Sequence, residues 1–543
     1  MQYANQTATT LLLILATVAG SFTASTVRAA GIDVATNTVT LALGEEPRTL
    51  NSLTAESVSY TAQLMVHVQE GLMRYDRRRR LVGGVAERWS VDAKTMRFWL
   101  RPDAHWQNGE PVTAADFVFA WQQLVTPTTG APSANLASPI KNAAKILRGE
   151  APASSLGVTA TGPLELLVEL EHPCAWCLNL MTNSMFYPVS QAFFEQSGTG
   201  YGASKDKQLS NGAFQLAQWQ RGKAVRLQKN PHYWGRQRIL LDHLNFDYIG
   251  SDARTSLNLF RSGEIAAAYL DRDTIKEAVD QGLRVKTFPS GHLYHIQFSH
   301  LDGKFSANLD LRKAIALTID RDELINKVVA SPGTRRADSM FHDWLTVGNK
   351  KYLTERPAAQ QNPDIEAAQA HAALARASLG IKGELVMTLT VSDNELSRRV
   401  AEYLQQQLKT YLDITVKIDP QITQMLVDKW RQGAPDMTLT TWPVDMDDPM
   451  DQISFMGNPD FRRIFKGLYS GEDMAALYFK NRNTLNESAR LDAITEANTL
   501  MTDKVTVLPL FESYGAVTMD PLMQGFVWQP VRGYADYRAV RLH

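Results

Sequence analysis

The stretch Trp106-Gln107-Asn108-Gly109-Glu110-Pro111-Val112-Thr113-Ala114-Ala115-Asp116-Phe117 contains two strong local structure signals in close succession. Asn108-Gly109 favours a tight turn, because both residue types accept the positive φ angles that short turns need. Thr113 and Asp116 have the spacing of a capping box, in which two side chains satisfy free N–H groups at the start of a helix. The stretch therefore predicts a turn followed by a helix over 116–124.

Strands and helices are predicted to mix on both sides of this stretch. Alternating apolar residues and flanking turn signals predict strands at 39–43, 96–101, 212–216, 224–227 and 414–418. Helical spacing of apolar residues predicts helices at 59–73 and 395–412. The chain has 543 residues, of which 44% are hydrophobic, and this suits two or three domains with large cores. The predicted fold class is α/β with more than one sheet.

The N-terminus resembles a secretory signal peptide. Its apolar run over 10–20 is shorter than the roughly 20 residues that a membrane-spanning helix needs. Val27-Arg28-Ala29 then offers a cleavage site, so 1–29 is predicted to be a signal peptide that is cut after Ala29. The segment before the run lacks Lys and Arg, and a buried N-terminal helix is the alternative. Because no cysteine follows the run, the mature chain is expected to be exported without a lipid anchor.

Charge and motifs argue against several function classes. The net charge of −1 disfavours a nucleic-acid partner, which normally requires a basic face. Four consecutive arginines, 77–80, are predicted to form the solvated tip of a hairpin rather than such a face. The sequence contains no P-loop, no G-x-S-x-G and no H-E-x-x-H motif. We therefore expect a binding or structural protein without a cofactor, rather than an enzyme.

Two sets of residues offer weaker chemical alternatives. Cys174 and Cys177 have the spacing of thiol oxidoreductases, but the usual strand and helix context is absent. A structural disulfide or a pair of free thiols is therefore favoured over redox catalysis. His292 and His295, with His300 downstream, are candidate metal ligands. If they lie on a strand, the first two point to opposite faces, so no metal site is predicted.

The segment 441–451, hereafter the acidic segment, reads TWPVDMDDPMD and carries four aspartates. Three interpretations compete: a solvated loop, a divalent metal site, and a place that neutralises a cationic group of a ligand. The calcium interpretation is weak, because the glycine and terminal glutamate of an EF-hand loop are missing. From the residues alone, a solvated loop is favoured.

Several longer segments form a recognisable series. A signature begins at Gly84-Val85-Ala86-Glu87-Arg88-Trp89 and runs through Phe98-Trp99-Leu100-Arg101 and the opening stretch to Trp121. Later segments are Asn211-Gly212-Ala213-Phe214, Lys229-Asn230-Pro231-His232-Tyr233-Trp234, Phe260-Arg261-Ser262-Gly263-Glu264-Ile265, and Leu311-Arg312-Lys313-Ala314-Ile315-Ala316 with Ile319-Asp320-Arg321. In this order, and over essentially the whole mature chain, they resemble the extracytoplasmic solute-binding proteins of peptide-type ABC importers, solute-binding protein family 5. The oligopeptide-binding and dipeptide-binding branches are the most similar.

That resemblance implies a two-lobed periplasmic binding protein fold of type II, with an additional domain inserted in lobe one. Lobe one would comprise 31–69, 190–290 and 513–543, the inserted domain 70–189, and lobe two 291–512. It also implies a periplasmic monomer that captures short peptides between the lobes. Its partners would be an inner-membrane ABC permease and the ATPase subunits of that permease.

The resemblance also assigns roles within the acidic segment. Trp442-Pro443-Val444-Asp445 matches the family's Trp-x-x-Asp segment, whose aspartate pairs with the peptide α-ammonium, so Asp445 is the predicted anchor. Thr441 to Pro443 on lobe two, and Glu56, Ser57 and Val58 on lobe one, match the backbone that pairs with an added peptide strand. The remaining aspartates, Asp447, Asp448 and Asp451, are predicted to be loop or capping acids.

Two departures from the family pattern leave the ligand open. Pro443 has no N–H to donate. The strand before Trp442, 437–440, is uncharged where some oligopeptide binders have a basic residue, and Arg431 is the one nearby substitute. The alternatives are therefore a murein peptide, a modified peptide or haem. From other classes come a thiol-redox protein that uses Cys174 and Cys177, and a signalling partner that reports ligand without transport.

Overall fold

The computed structural model describes residues 31–55 and 59–543. The predicted signal peptide and the predicted pairing residues Glu56, Ser57 and Val58 lie outside the described residues. Among the described helices, none is long and apolar enough to cross a membrane.

Three sheets organise the described chain. The first has five strands, in the order Ile32–Asp33, Thr38–Leu43, His243–Ile249, Ala224–Lys229 and Phe214–Gln220. The second has seven, in the order Ala267–Leu270, Val507–Met519, Val285–Phe298, Met437–Pro443, Leu385–Ser392 and Ile414–Gln421, with Arg335–Arg336 paired to Val507–Met519. The third has four, in the order Ala86–Val91, Thr95–Leu100, Glu165–Glu169 and Val158–Gly162. Helices pack between them, which confirms the α/β class.

Short strand pairs and helices complete the described structure. The pairs are Met73–Tyr75 with Leu81–Gly83, Thr346–Val347 with Lys350–Lys351, Met523–Gln524 with Arg541–Leu542, and Val527–Gln529 with Tyr534–Asp536. The α-helices are Ser59–Val68, Ala114–Val125, Ala143–Leu147, Cys177–Leu180, Gln191–Ser197, Ala253–Arg261, Arg272–Asp280, Leu309–Thr318, Arg321–Glu323, Tyr352–Glu355, Ile365–Leu379, Glu395–Leu412, Thr423–Gln432, Met450–Gly457, Pro459–Ile464, Glu472–Asn483 and Glu487–Asp503.

The stretch 106–117 folds as its turn and capping-box signals predict. The backbone N–H of Trp106 donates to the carbonyl of Glu110 at 2.8 Å, and Gly109 between them has a φ of 87°. The capping box forms, since the carboxylate of Asp116 accepts from the backbone N–H of Thr113 at 2.8 Å. The helix begins at Ala114, two residues before the predicted start, and it buries Trp121 completely.

The helix predicted over 59–73 ends earlier, at Val68. A tertiary contact explains the difference, because the Asn211 side chain accepts from the N–H of Glu70 at 3.0 Å and donates to its carbonyl at 2.8 Å. The Glu70 carboxylate in turn accepts from Tyr233 at 2.8 Å and Trp234 at 2.6 Å. Asn211, Tyr233 and Trp234 all belong to segments that carry the family resemblance. Together they hold the buried Glu70, so these three residues have a structural role.

Two long strands, Val285–Phe298 and Val507–Met519, pair with each other within the second sheet. Their antiparallel register shifts after Pro289, close to the predicted lobe boundaries at 290 and 512. Gly291 lies at the shift, and its φ of 85° favours glycine. A Cβ atom there would lie 2.1 Å from the carbonyl oxygen of Pro530, so the close approach of the C-terminal segment also requires glycine.

We expect Gly291→Ala to lower the midpoint temperature of thermal unfolding more than Gly282→Ala does. Both positions have positive φ angles, 85° and 75°, so both substitutions carry a left-handed backbone cost of roughly 1–2 kcal/mol. At Gly282 no described atom lies within 4 Å of the Cβ position, whereas Gly291 adds the clash with Pro530. Scanning calorimetry measures the difference, and equal losses in the two variants would contradict the steric argument.

Candidate ligand-binding site

The strand Met437–Pro443 has one incompletely paired side. It pairs antiparallel with Val285–Phe298 along its whole length, from His292 opposite Pro443 to Phe298 opposite Met437. On its other side, the parallel strand Leu385–Ser392 pairs only with residues 437–439. No described strand covers 440–443 on that side. An unpaired backbone edge of this kind accepts an extended chain as an added strand.

Asp445 follows this edge and already has a cationic neighbour. Its carboxylate accepts from Nη2 of Arg532 at 3.3 Å, and the backbone N–H of Arg532 donates to the carbonyl of Val444 at 3.0 Å. The Arg532 side chain is 6% exposed, and that of Asp445 is 25% exposed. Sequence reasoning missed Arg532, because it lies far along the chain in the C-terminal segment, without a local signal.

Asp451 lies beside Asp445 and is more than a loop acid. It occupies the first turn of the helix Met450–Gly457, is 6% exposed, and accepts from the indole N–H of Trp442 at 3.0 Å. Trp442 stacks on Phe455 with ring centroids 4.0 Å apart. The predicted site residue Trp442 therefore connects the open strand edge to a second buried carboxylate.

The electrostatics of this pair differ from those of ordinary surface acids. Burial, followed by the charge of Asp445, raises the pKa of Asp451 well above its usual range. Burial also raises the pKa of Asp445, although the guanidinium of Arg532 opposes that rise. Two carboxylates thus face one guanidinium, an arrangement that favours an additional cation or a retained proton.

The other two aspartates of the acidic segment have structural partners. Asp448 forms a bidentate ion pair with Arg490, in which both side chains are 3% exposed, and it also accepts from the backbone N–H of Met450 at 2.8 Å. Asp447 accepts from the backbone N–H of Thr346 at 2.8 Å, and burial raises its pKa to about 6. The acidic segment is therefore a buried junction, and the solvated-loop interpretation is wrong.

A cavity of about 320 Å³ adjoins the carboxylate pair. One wall carries Trp442, Asp445 and Asp451. The opposite wall belongs to the predicted inserted domain and carries Leu136, Leu147, Trp176 and Leu180. The cavity therefore offers an apolar and aromatic surface with negative charge on one side, which suits an amphipathic cationic group.

The arginine run forms the predicted hairpin tip, between strands Met73–Tyr75 and Leu81–Gly83. Arg77, Arg78 and Arg80 are exposed, but the solvated-turn interpretation is wrong for Arg79. Its guanidinium donates to the carbonyl of Trp344 at 3.3 Å and lies 3.8 Å from the carboxylate of Asp447. This arginine links the hairpin to the acidic segment.

The structure also shows the cysteines and histidines that were considered as redox and metal sites. Cys174 and Cys177 form a disulfide, and both residues are buried. His292 and His295 lie on the strand Val285–Phe298 as predicted, with lowered pKa values of about 4, chiefly because they are buried. Within the described residues, no group of three or more His, Cys, Asp or Glu side chains is placed to hold a metal ion.

Residues 80–461 match the family model described as "Bacterial extracellular solute-binding proteins, family 5 Middle", which covers well over half of the chain. The chain belongs to this family. The dipeptide-binding protein DppE of Bacillus subtilis is 26% identical over 479 residues, which span 88% of this chain and 87% of DppE. The periplasmic murein peptide-binding protein MppA of Escherichia coli is 28% identical over 488 residues, spanning 89% of each chain.

Solved structures show the same architecture. Listeria monocytogenes OppA bound to peptide superposes with a TM-score of 0.76 at 25% identity, covering 93% of this chain and 99% of the other. The predicted two-lobed periplasmic binding protein fold is thereby confirmed. These relatives carry the names of binding proteins rather than of enzymes.

We expect Asp447→Asn to remove a pH-dependent loss of stability. The folded-state pKa of about 6 lies above the ordinary value of 3.8, so the wild-type carboxylate destabilises the fold as pH rises through this window. At pH 7 the variant should gain up to about 3 kcal/mol of unfolding free energy relative to wild type, and below pH 4 the difference should vanish.

Chemical denaturation at a series of pH values measures this difference. Asp302→Asn, at an exposed aspartate, is the control and should leave the pH profile unchanged. A wild-type profile parallel to that of Asp447→Asn would contradict the burial of an ionisable Asp447.

Proposed function

We propose that this protein is the periplasmic binding component of an ABC importer, which captures short peptides between its lobes and delivers them to an inner-membrane permease. The family match and the peptide-binding names of the relatives support the ligand class, and the name of MppA supports the compartment. The cycle consists of binding, closure of the lobes and docking on the permease and its ATPase subunits. No bond is broken, and the protein acts as a monomer.

The observation that carries the proposal is the unpaired edge at 440–443 next to Asp445. A peptide added to this edge bonds through its main chain, which explains how such a site accepts many side chains. Because successive strand residues direct their backbone groups to opposite sides, Thr441 and Pro443 share one side of the strand and Trp442 faces the other. On the side of Thr441, Pro443 can contribute only its carbonyl. Glu56, Ser57 and Val58 are proposed to pair with the peptide from lobe one.

Asp445 is proposed to receive the α-ammonium group of the ligand. Enclosing that ammonium without a partner would cost several kcal/mol, and a fixed carboxylate supplies a charge-assisted hydrogen bond. The contact that Asp445 now makes with Arg532 is a single bond of 3.3 Å. An entering ammonium therefore competes with a weak contact.

A specialised ligand is the second candidate. Pro443 removes one N–H from the edge that would pair with an ordinary peptide, and one relative is named for binding murein peptides. A murein peptide, a modified peptide or haem remains the alternative ligand. The thiol-redox candidate has less support, because both sulfurs lie in a buried disulfide.

We expect Asp445→Asn to weaken the binding of a short peptide by about 2–5 kcal/mol, the cost of removing one side of a buried charge pair. An N-acetylated version of the same peptide should lose a similar amount with the wild-type protein. Isothermal titration calorimetry measures both changes.

Asp460→Asn is the matched control, because Asp460 lines the same cavity but is exposed and paired with Arg463. It should bind the peptide as wild type does. Undiminished affinity for the acetylated peptide would show that Asp445 is not the ammonium partner.

A further inference from the structure

The carboxylates at the candidate site outnumber their cations. Arg532 lies at ion-pair distance from Asp445, and no described cation lies at ion-pair distance from Asp451. The donors to Asp451 are the indole N–H of Trp442 and the backbone N–H of Asp445, and both are neutral. If both carboxylates are ionised, one negative charge stays uncompensated in a site where Asp451 is 6% exposed.

The surrounding charged groups do not remove this excess, because they pair among themselves. The other ion pairs of the acidic segment are Arg490 with Asp448 and Arg79 with Asp447, and those of the cavity lining are Arg463 with Asp460 and Arg148 with Glu150. His172 lines the cavity, and burial lowers its pKa, so it is neutral at pH 7. The other titratable groups that face the pair or the cavity are Tyr187, Tyr478 and Tyr534, and burial raises the pKa of each, so they are also neutral.

The two ion pairs of the acidic segment differ in strength. Arg490 holds Asp448 through two bonds in a fully enclosed, bidentate geometry. Arg532 makes one side-chain bond, of 3.3 Å, to Asp445. The buried Nε–H of each arginine has no partner among the described residues, so the two pairs differ only in the bonds of their terminal nitrogens. The first pair is a fixed structural element. The second pair has a single bond and adjoins the 320 Å³ cavity that both Asp445 and Asp451 line.

A buried carboxylate without a cation lowers its free energy by holding a proton. Asp445 and Asp451 interact directly, so their protonation belongs to the pair. The pair with Arg532 is neutral when it holds one proton. A ligand ammonium contributes the same positive charge and makes the proton unnecessary.

We propose that Asp451 is a second binding residue for the ligand ammonium, and that binding expels one proton from the Asp445–Asp451 pair. This inference rests on the proposed function, since it assumes a ligand with an ammonium group. The proton leaves to solvent, the ammonium takes its place, and the site of two carboxylates, one guanidinium and one ammonium is neutral. No covalent bond other than the O–H bond of the carboxyl group is broken.

Release of a proton makes the affinity for the ligand depend on pH. Because the protein must lose a proton to bind, affinity rises with pH below the pKa of the pair, by up to about tenfold per pH unit. It also explains why a blocked amine would be rejected. A neutral N-terminus leaves the proton in place and gains no charge-assisted bond.

The test uses tri-alanine and the full mature protein in isothermal titration calorimetry, at near-neutral pH, in phosphate and in Tris buffer. These buffers differ in ionisation enthalpy, so the difference in binding heat reports the protons released per peptide. Wild type is expected to release close to one proton. Asp451→Asn is expected to release none and to lose the pH dependence of affinity, whereas Asp460→Asn is expected to behave as wild type.

Infrared difference spectroscopy on the wild-type protein gives a second readout, which does not depend on the folding of a buried variant. Addition of tri-alanine should remove the C=O stretch of a protonated carboxyl group. Binding without proton release and without this loss overturns the inference and leaves the proposed function intact. Release that persists in Asp451→Asn overturns the assignment to Asp451. Failure to bind any peptide overturns the proposed function, and the inference with it.

Discussion

The structure around the candidate site depends on one electrostatic constraint: a buried carboxylate needs a cation, a proton or several N–H donors. The acidic segment carries four carboxylates, and the fold satisfies them unequally. Asp448 has a bidentate cationic partner, whereas Asp445 has a single weak bond to a cation and Asp451 has only neutral N–H donors. The cations come from three distant parts of the chain: Arg79, Arg490 and Arg532. The segment is thus both a structural junction and an incompletely neutralised surface.

The order of the strands determines where this surface can be used. The parallel strand Leu385–Ser392 stops pairing at residue 439, while the antiparallel strand continues to Pro443. The free backbone edge therefore ends next to the under-neutralised carboxylates. An extended ligand can satisfy the backbone edge with its main chain and the carboxylates with its ammonium. Under the proposed function, one short region would thus combine tolerance of many side chains with a requirement for a free N-terminus.

Local sequence signals predicted the elements whose bounds depend on interactions within their own segment. The helix Glu395–Leu412 has the predicted bounds, because its apolar face and its Asn394 cap are both encoded within the segment. The helix over 59–73 ends early because Asn211, far away in sequence, captures the backbone of Glu70. The family resemblance predicted Asp445 as the ammonium anchor, and this assignment stays a prediction. Asp451 was predicted to be a loop or capping acid and Arg532 had no predicted role, because the contact between Asp445 and Arg532 forms only when the C-terminal segment packs on the acidic segment.

The proposed function requires that this site enclose a short peptide with a free N-terminus. Native mass spectrometry of the protein purified from the cells that produce it, followed by denaturation and fragmentation of whatever is released, tests this requirement. We expect a set of masses that fragment as short peptides with unmodified α-amino groups. A single non-peptide compound, or peptides whose amino termini are all blocked, would contradict it.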